Sequence, residues 1–371
     1  MHRAALIIPL LPLLLALPLS AHSAGPMGER QTESSTTTGI NASGEWVGEI
    51  KDESGRRRAI LMSQGRRFEI GTLGGSDSTA NAINNQGTVT GGALTASNAW
   101  HAFRYDQAHG MRDLGTLGGN SSVGTAINEA GHIAGYADTA DGNYHAFVDN
   151  GVGMLGLGTF GGKNSYATAI NASGHVVGAA QLPNGYRRAF LYKPGSGMFE
   201  LPTLGGRVSV ATAINDAGIV VGSAEMADRS WHAFMYDGKR MIDLGAMISQ
   251  GSSFANGINA NGDIVGTVKI KDHDAPHTFI YRNGRMQVRF GPDSLYLTRD
   301  ITDDGHVIGS TYTGHVLKSG SVDADHTGRQ MRWDDWLAIA FLAGSAIVAA
   351  YKVRDRIRKG LDFGVRLVSF A

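Results

Sequence analysis

The 371-residue sequence contains no cysteine. Disulfide bridges and thiolate metal ligands are therefore excluded, although cysteine often stabilises small exported domains. Proline is scarce, with 9 residues, and helical periodicity is almost absent before Asp334. The motifs of serine hydrolases, zinc proteases and Walker-type phosphate-binding loops do not occur, and no dinucleotide-binding fingerprint follows a strand and opens a helix. We therefore predict no catalytic residues and no cofactor from motifs alone.

An excess of charge of one sign is also missing. The chain has 33 Lys and Arg residues against 33 Asp and Glu residues, so its formal net charge is zero. Six of the basic residues follow Tyr351, which leaves the preceding part mildly acidic. A mildly acidic domain is a poor partner for a polyanion, so we expect no nucleic-acid binding.

The N-terminus has the layout of a secretory signal peptide. His2 and Arg3 precede an apolar run from Ala4 to Leu19, and small residues follow that run. We predict a signal peptide over residues 1–23 and a linker over residues 24–34. An uncleaved membrane anchor is the alternative, but prolines within the run disfavour a long helix.

The C-terminus carries a second apolar segment. Residues 336–351 contain no charged side chain, and a basic cluster follows them. We predict a transmembrane helix over residues 333–351 and a basic cytoplasmic tail over residues 352–371. The segment is shorter than the roughly 20 residues a spanning helix usually needs, so a helix docked on its own domain is the alternative. A signal peptide at one end and a cytoplasmic tail at the other predict that the region between them lies in the periplasm or outside the cell.

The 52 glycines follow an internal repeat. The string Ile-Asn-x-x-Gly-x-(Val/Ile)-x-Gly recurs every 43 or 44 residues, and a seventh, degenerate copy has Thr302 in place of asparagine. A second string, usually His-Ala-Phe, and a third, ending in Leu-Gly-Thr-Leu-Gly-Gly, follow in most copies. We predict structural roles for the repeated residues Asn41, Asn84, Asn128, Asn171, Asn215, Asn259, His101, His145, His232, Gly118, Gly119, Gly161 and Gly162.

Each repeat indicates four short strands separated by glycine-containing turns. The Asn-x-x-Gly between the first two strands suits a hairpin, because asparagine caps the turn and glycine accepts a left-handed conformation. About 43 residues with four antiparallel strands is the unit of a β-propeller blade. We predict an all-β protein, a β-propeller of about seven four-stranded blades over residues 35–332. Six blades and an open β-solenoid are the alternatives.

The three strings together resemble the bacterial extracellular repeat family called HAF. The resemblance covers about residues 37–317 and rests on several copies in register. It implies an exported repeat protein, and it brings no settled activity. The C-terminus resembles that of proteins handled by a sorting system, but no Pro-Glu-Pro precedes Trp336. A plain membrane anchor is therefore the preferred interpretation.

Symmetry argues against a metal site built from the repeated histidines, because equivalent positions on different blades do not converge. We expect each imidazole to form a hydrogen bond between blades instead. Non-repeated residues are better functional candidates, and the weak candidates for metal ligands are Asp272, His273, Asp274 and His277. A solvated polar loop is the simpler interpretation of that segment.

Two further patches depart from the repeat. One precedes the predicted anchor and carries Asp323, Asp325 and His326. The other is basic and is formed by Lys51, Arg56, Arg57, Arg58, Arg66 and Arg67 of the first repeat. A basic cluster can hold an anionic glycan or a lipid headgroup, but it is more often a solvated face.

The sequence therefore predicts an exported, membrane-anchored binding or interaction platform at the cell envelope. Its partner would be a protein or a glycan, and residues 336–351 would contact the membrane. One alternative is a propeller enzyme, of hydrolase or lyase type, with a loop-built and metal-assisted site. A second is a structural matrix or surface component.

Overall fold

The computed structural model describes residues 34–52, 54–248, 251–270, 276–289, 297–303, 305, 307–313 and 316–322. These residues form seven antiparallel sheets, one for each sequence repeat, and each sheet consists of strands consecutive in the chain. Six sheets have four strands and the seventh has three. In the described part of the chain the single helical element is a short 3₁₀ turn at Gly245–Met247.

The first three sheets are each a four-stranded meander. Sheet 1 contains β1 (Ser34–Ile40), β2 (Trp46–Lys51), β3 (Arg57–Ser63) and β4 (Arg66–Gly71). Sheet 2 contains β5 (Gly74–Ile83), β6 (Val89–Thr95), β7 (Trp100–Asp106) and β8 (Gly110–Asp113). Sheet 3 contains β9 (Gly118–Ile127), β10 (Ile133–Thr139), β11 (Tyr144–Asp149) and β12 (Met154–Gly158).

Sheets 4 to 7 repeat this order, and the seventh ends after three strands. Sheet 4 contains β13 (Ser165–Ile170), β14 (Val176–Gln181), β15 (Arg187–Lys193) and β16 (Gly197–Glu200). Sheet 5 contains β17 (Gly205–Ile214), β18 (Val220–Met226), β19 (Trp231–Tyr236) and β20 (Met241–Asp243). Sheet 6 contains β21 (Gly251–Ile258), β22 (Ile264–Ile270), β23 (His277–Arg282) and β24 (Arg285–Arg289). Sheet 7 contains β25 (Leu297–Ile301), β26 (Val307–Thr313) and β27 (Val316–Val322).

The first strands of successive sheets contact one another, so they lie innermost, and the fourth strands form the outer edges. The loops between second and third strands lie at one end of the sheets, which we call the loop face. The Asn-x-x-Gly turns lie at the opposite end, which we call the turn face. This arrangement follows from the antiparallel order of each meander.

The phenylalanine of the His-Ala-Phe string forms the core between sheets. Phe103, Phe147, Phe190 and their counterparts are fully buried. Each ring lies over the last glycine of Ile-Asn-x-x-Gly-x-(Val/Ile)-x-Gly, and a Cβ on Gly135 would be 2.8 Å from the ring of Phe147. The two strings therefore recur together because one supplies the ring and the other the space for it.

The glycine pair of the third string has two separate causes. Gly118 has a φ of 99°, a left-handed conformation that favours glycine. Gly119 has ordinary φ, but a Cβ there would be 2.5 Å from Cβ of Asp138 on the neighbouring strand β10. The first glycine thus turns the chain into the innermost strand, and the second lets that strand approach its partner.

The seventh sheet is electrostatically coupled to the first. Arg299 on β25 and Glu49 on β2 attract one another, although they belong to the last and first sheets. Seven sheets in chain order, coupled end to end, form a ring, and the prediction of a β-propeller is confirmed. Six sheets have the predicted four strands, and the described part of sheet 7 has three; the residues that follow β27 lie outside the described part.

Several sequence predictions lie outside the described residues. These are the signal peptide, most of the linker, and the transmembrane segment with its basic tail. In the part of the chain that the structure describes, no helix is long and apolar enough to cross a membrane.

Candidate functional site

The repeated asparagines form a hydrogen-bonded ladder between sheets near the turn face. The side-chain amide of each donates to the main-chain carbonyl at the equivalent position of the next repeat, at 2.9 Å from Asn128 to Asn171 and 3.0 Å from Asn84 to Asn128. The side-chain oxygen of Asn128 accepts the backbone N–H of His132 in its own turn at 2.8 Å. The prediction that these residues are structural now has a mechanism, since each joins its own hairpin to the next sheet.

Two more ladders connect the same sheets. Thr125, two residues before Ile127 on the innermost strand, donates to the carbonyl of Ala167 in the next sheet at 3.0 Å, and Thr168 does the same to Ala211 at 2.9 Å. Deeper in the interface, the buried hydroxyl of Ser122 accepts the N–H of Ala102 from the preceding sheet at 2.8 Å. Each such bond contributes a net stabilisation of about 0.5–1.5 kcal/mol, so the ladders together hold the ring.

The repeated histidines pair with carboxylates within their own sheets. Nδ1 of His101 lies 2.8 Å from the carboxylate of Asp113, and Nδ1 of His232 lies 2.9 Å from that of Asp243. In sheet 4, Arg188 replaces histidine and donates to Glu200 at 3.1 Å. The predicted hydrogen bond between blades is therefore wrong for His101 and His232. Both pairs join the third strand to the fourth, because those neighbours face each other across the outer hairpin.

The metal candidates are not brought together by the described part of the structure. Asp272, His273 and Asp274 lie outside the described residues, as do Asp323, Asp325 and His326. His277 is described and is buried at the start of β23. Among described residues, no group of three or more His, Asp or Glu side chains could hold a metal ion. The Asp272–His277 site stays a prediction.

The basic patch of the first repeat divides into two groups. Arg56 to Arg58 lie in the loop before β3 and at its start, and therefore at the loop face, whereas Arg66 and Arg67 follow the next hairpin at the turn face. The sheet separates the two groups. The proposed single cluster is wrong, because four strands of alternating direction place neighbouring sequence segments at opposite ends.

The loop face instead carries aromatic residues paired with arginine at the junction of sheets 1 and 2, within sheet 4, and at the junction of sheets 4 and 5. The guanidinium of Arg57 lies 5.4 Å from the ring centre of Trp100, and that of Arg187 lies 5.7 Å from Tyr166. Arg207 stacks on Tyr186 at 5.5 Å and donates to its hydroxyl at 2.8 Å. These distances fit cation–π interactions.

The fifth and sixth sheets continue the row without an arginine. Trp231 stacks on Phe254 of the next sheet with a ring separation of 6.0 Å. These aromatic residues are recognisable in the sequence, although they belong to none of the three repeated strings. The residue before His-Ala-Phe is Trp100, Tyr144 or Trp231 in three repeats.

A tyrosine cluster lies between sheets 3 and 4 at the same face. Tyr136 and Tyr144 meet edge to face at 6.0 Å. Tyr136 is 3% exposed, and its hydroxyl has no hydrogen-bond partner among the described residues. Burial raises the pKa of Tyr136 far above its ordinary value. In contrast, the buried Tyr166 is hydrogen-bonded to Arg187.

The seam between sheets 7 and 1 holds charges that no other repeat has. Arg299 stands where the other repeats have threonine or asparagine, and Glu49 stands where they have Gly92, Tyr136, Ala179, Ser223 or Thr267. Burial raises the pKa of Glu49, and nearby Arg57, Lys51 and Arg299 oppose that shift. Burial lowers the pKa of Arg299, which Glu49 opposes.

Asp300 is a further departure on the innermost strand of sheet 7. The equivalent residues are small in every other repeat: Gly39, Ala82, Ala126, Ala169, Ala213 and Gly257. The Asp300 side chain has exposed surface, yet protein atoms inside the ring surround it, and desolvation raises its pKa to about 6. Comparing the repeats position by position would have identified Glu49, Arg299 and Asp300 from sequence, but the search for motifs did not.

Solved structures that resemble this chain are β-propellers. The β-propeller domain of the Trilobed protease from Pyrococcus furiosus has a TM-score of 0.53 at 10% identity, over 78% of this chain and 96% of that domain. Two structures of puromycin hydrolase have TM-scores of 0.52 and 0.50 at 13% and 14% identity. Each is matched over 77% of this chain and 52% of its own length, so this chain spans about half of those enzymes. Such low identity shows the fold alone.

No protein-family model matches the sequence, and no curated protein is significantly similar to it. Membership of the HAF repeat family therefore stays a prediction.

Proposed function

We propose that this chain is an exported, membrane-anchored β-propeller whose loop face binds a protein or glycan partner at the cell envelope. The observation that carries the proposal is the accessible part of the loop face where Arg207 stacks on Tyr186 and, at the next junction, Trp231 stacks on Phe254. The rings of Trp100 and Tyr166 are buried beneath the same face. Trp, Tyr and Arg are the residue types that contribute most binding energy at recognition surfaces, since they combine large apolar area with polar ends.

The frame beneath the row supports a binding role. Three hydrogen-bonded ladders hold neighbouring sheets together, and loops on a rigid frame lose little entropy when they bind. Arg207, Tyr186 and Trp231 retain accessible surface at the loop face, so a ligand can reach them.

Binding is tested with the purified full chain on a glycan array and by cross-linking to envelope proteins. We expect Arg207→Ala and Trp231→Ala to reduce retention of the partner about tenfold or more, which corresponds to about 1.4 kcal/mol each. Arg66→Ala, at the turn face, is the matched control and should bind like the unmodified chain. Equal binding by all three variants would exclude the loop face, and the class of molecule retained decides between glycan and protein.

Export and anchoring are tested by cysteine labelling, which is clean because the chain has no cysteine of its own. In intact cells with a permeabilised outer barrier, a membrane-impermeant maleimide should label Ser97→Cys at the loop face. It should not label Ala371→Cys in the predicted cytoplasmic tail. Labelling of both, or of neither, would contradict the proposed topology.

An enzyme is the second candidate. The puromycin hydrolases share the propeller fold with this chain, so a peptidase-type activity is the first to assay. Release of the amino acid from puromycin by the purified chain would favour this candidate. A substitution in this chain that abolishes turnover would show that the activity belongs to this protein and not to a contaminating enzyme. A matrix or surface component, the third candidate, would assemble beyond a defined oligomer.

A further inference from the structure

The outer strand of sheet 3 departs from its counterparts in charge. Each of the other five fourth strands carries ionisable side chains, such as Arg112 and Asp113 on β8 or Arg285 and Arg289 on β24. The β12 sequence Met-Leu-Gly-Leu-Gly has none. Charged residues on edge strands normally prevent pairing with another chain. β12 lacks that protection.

The same strand lacks the ion pair that joins the third and fourth strands of sheets 2, 4 and 5. Gly156 pairs with Phe147 in the position where Asp113 pairs with Phe103 and Glu200 with Phe190. His145 of this sheet therefore has a glycine where His101 has a carboxylate. Leu155 likewise replaces the charged Arg112.

The altered strand is accessible. It forms the end of its sheet and pairs with β11 alone, so its outer backbone groups point away from the sheet. Leu155 is 55% exposed, and Val152 in the preceding hairpin is 94% exposed. Two exposed apolar side chains beside a free strand edge favour strand addition.

We propose that two copies of this chain pair through their β12 edges, in antiparallel orientation about a two-fold axis. A second copy is the occupant that the charges favour, because identical strands place each segment opposite itself. Pairing of β24 with its copy would bring arginine near arginine, whereas β12 pairs with itself without opposing or burying any charge. Like charges directly opposite destabilise strand pairs.

The expected dimer is weak. Five residues of strand and a hairpin tip bury less than the roughly 1,000 Å² of a stable interface, so we expect a Kd in about the micromolar range or above. The inference concerns the outer edge of sheet 3 and does not depend on the loop face. Loss of dimerisation would leave the proposed partner binding intact.

The test uses full chains carrying one introduced cysteine and a short bismaleimide cross-linker. Leu155→Cys should cross-link to a dimer faster than Phe199→Cys by about tenfold. Phe199 is the matched control, because it lies on the outer strand β16 and is 46% exposed. Equal rates for the two variants would overturn the proposal.

Sedimentation velocity of the full chain, in detergent, supplies the second measurement. The unmodified chain should dimerise with rising concentration, and Leu155→Arg, which restores the charge found in sheet 2, should raise the Kd about tenfold or more. Dimerisation unchanged in Leu155→Arg would assign it to another surface, such as the apolar C-terminal segment, and would overturn the proposal. A chain that is monomeric at all concentrations would do so as well. Equal melting temperatures of the two chains would verify that the substitution leaves the fold intact.

Discussion

The side-chain amide of Asn128 donates a 2.9 Å hydrogen bond to the main-chain carbonyl of Asn171, which is 43 residues further along the chain. The same bond recurs from Asn41 through Asn259, and in the last instance the acceptor is the carbonyl of Thr302. Threonine has no amide group to donate, so the ladder ends at the seventh repeat. The asparagine ladder thus spans the first six junctions of the ring, and the Glu49–Arg299 attraction takes its place at the seam.

Asn128→Ala should lower the free energy of unfolding by about 1–3 kcal/mol, because it removes the bond to the Asn171 carbonyl and leaves the N–H of His132 without its partner. The Asn171 carbonyl keeps the N–H of Gly174. Urea denaturation followed by circular dichroism measures the change. Asn150→Ala is the control, since Asn150 is exposed and caps only its own hairpin. A loss no larger than that of the control would show that the ladder adds nothing to stability.

Gly119→Ala should lower the free energy of unfolding by more than the addition of one methyl group usually does. A Cβ at this position would lie 2.5 Å from Cβ of Asp138 and 2.6 Å from the carbonyl oxygen of Thr139, so β9 must move away from β10. We expect a loss of about 3 kcal/mol, measured by the same denaturation experiment. Gly142→Ala is the control: its φ is 78°, but its Cβ would meet nothing within 4 Å, so the cost should be about 1–2 kcal/mol. Equal losses would contradict the steric explanation.

The attraction between Glu49 and Arg299 should be measurable as a coupling energy. Glu49→Gln and Arg299→Gln should each lower the free energy of unfolding by about 1–3 kcal/mol, and the double variant should lose less than the sum by at least about 0.5 kcal/mol. Combining Arg299→Gln with Glu69→Gln, an exposed residue on β4, should instead be additive. Additivity of the Glu49 pair would mean that these charges do not hold the seam.

Asp300 should make stability depend on pH. Its pKa in the folded chain is raised to about 6 from the ordinary 3.8, so the folded state holds the proton more tightly than the unfolded state. Stability from this group is therefore fully present below about pH 4, declines as the pH rises to about 6, and changes no further above that. Asp300→Asn should flatten this part of a plot of melting temperature against pH and should melt higher than the unmodified chain at pH 7. Parallel plots for the two proteins would refute the assignment.

Tyr136 and Tyr166 should respond in opposite ways to removal of the hydroxyl. Tyr136→Phe should be neutral or raise the free energy of unfolding by up to about 1 kcal/mol, because a buried hydroxyl without a partner carries a desolvation cost. Tyr166→Phe removes the hydrogen bond to Arg187 and should cost about 1 kcal/mol. A clear destabilisation by Tyr136→Phe would reveal a bound water or ligand at the junction of sheets 3 and 4.

Sequence alone determined the period, the number of repeats, the strand positions and the turn chemistry. These are local properties: alternation along a strand, an asparagine cap and a left-handed glycine each act within a few residues. The position of His101 on a strand beside Phe103 was readable for the same reason.

Only the tertiary structure decided which groups meet. The amide of Asn128 could bond within its own turn or reach the next repeat, and packing of the sheets makes it do the latter. His101 was expected to reach another blade, but the outer hairpin places Asp113 closer. Glu49 and Arg299 lie 250 residues apart in the sequence, and their attraction exists because the sheets form a ring. Such contacts depend on where the whole chain returns, which no local pattern encodes.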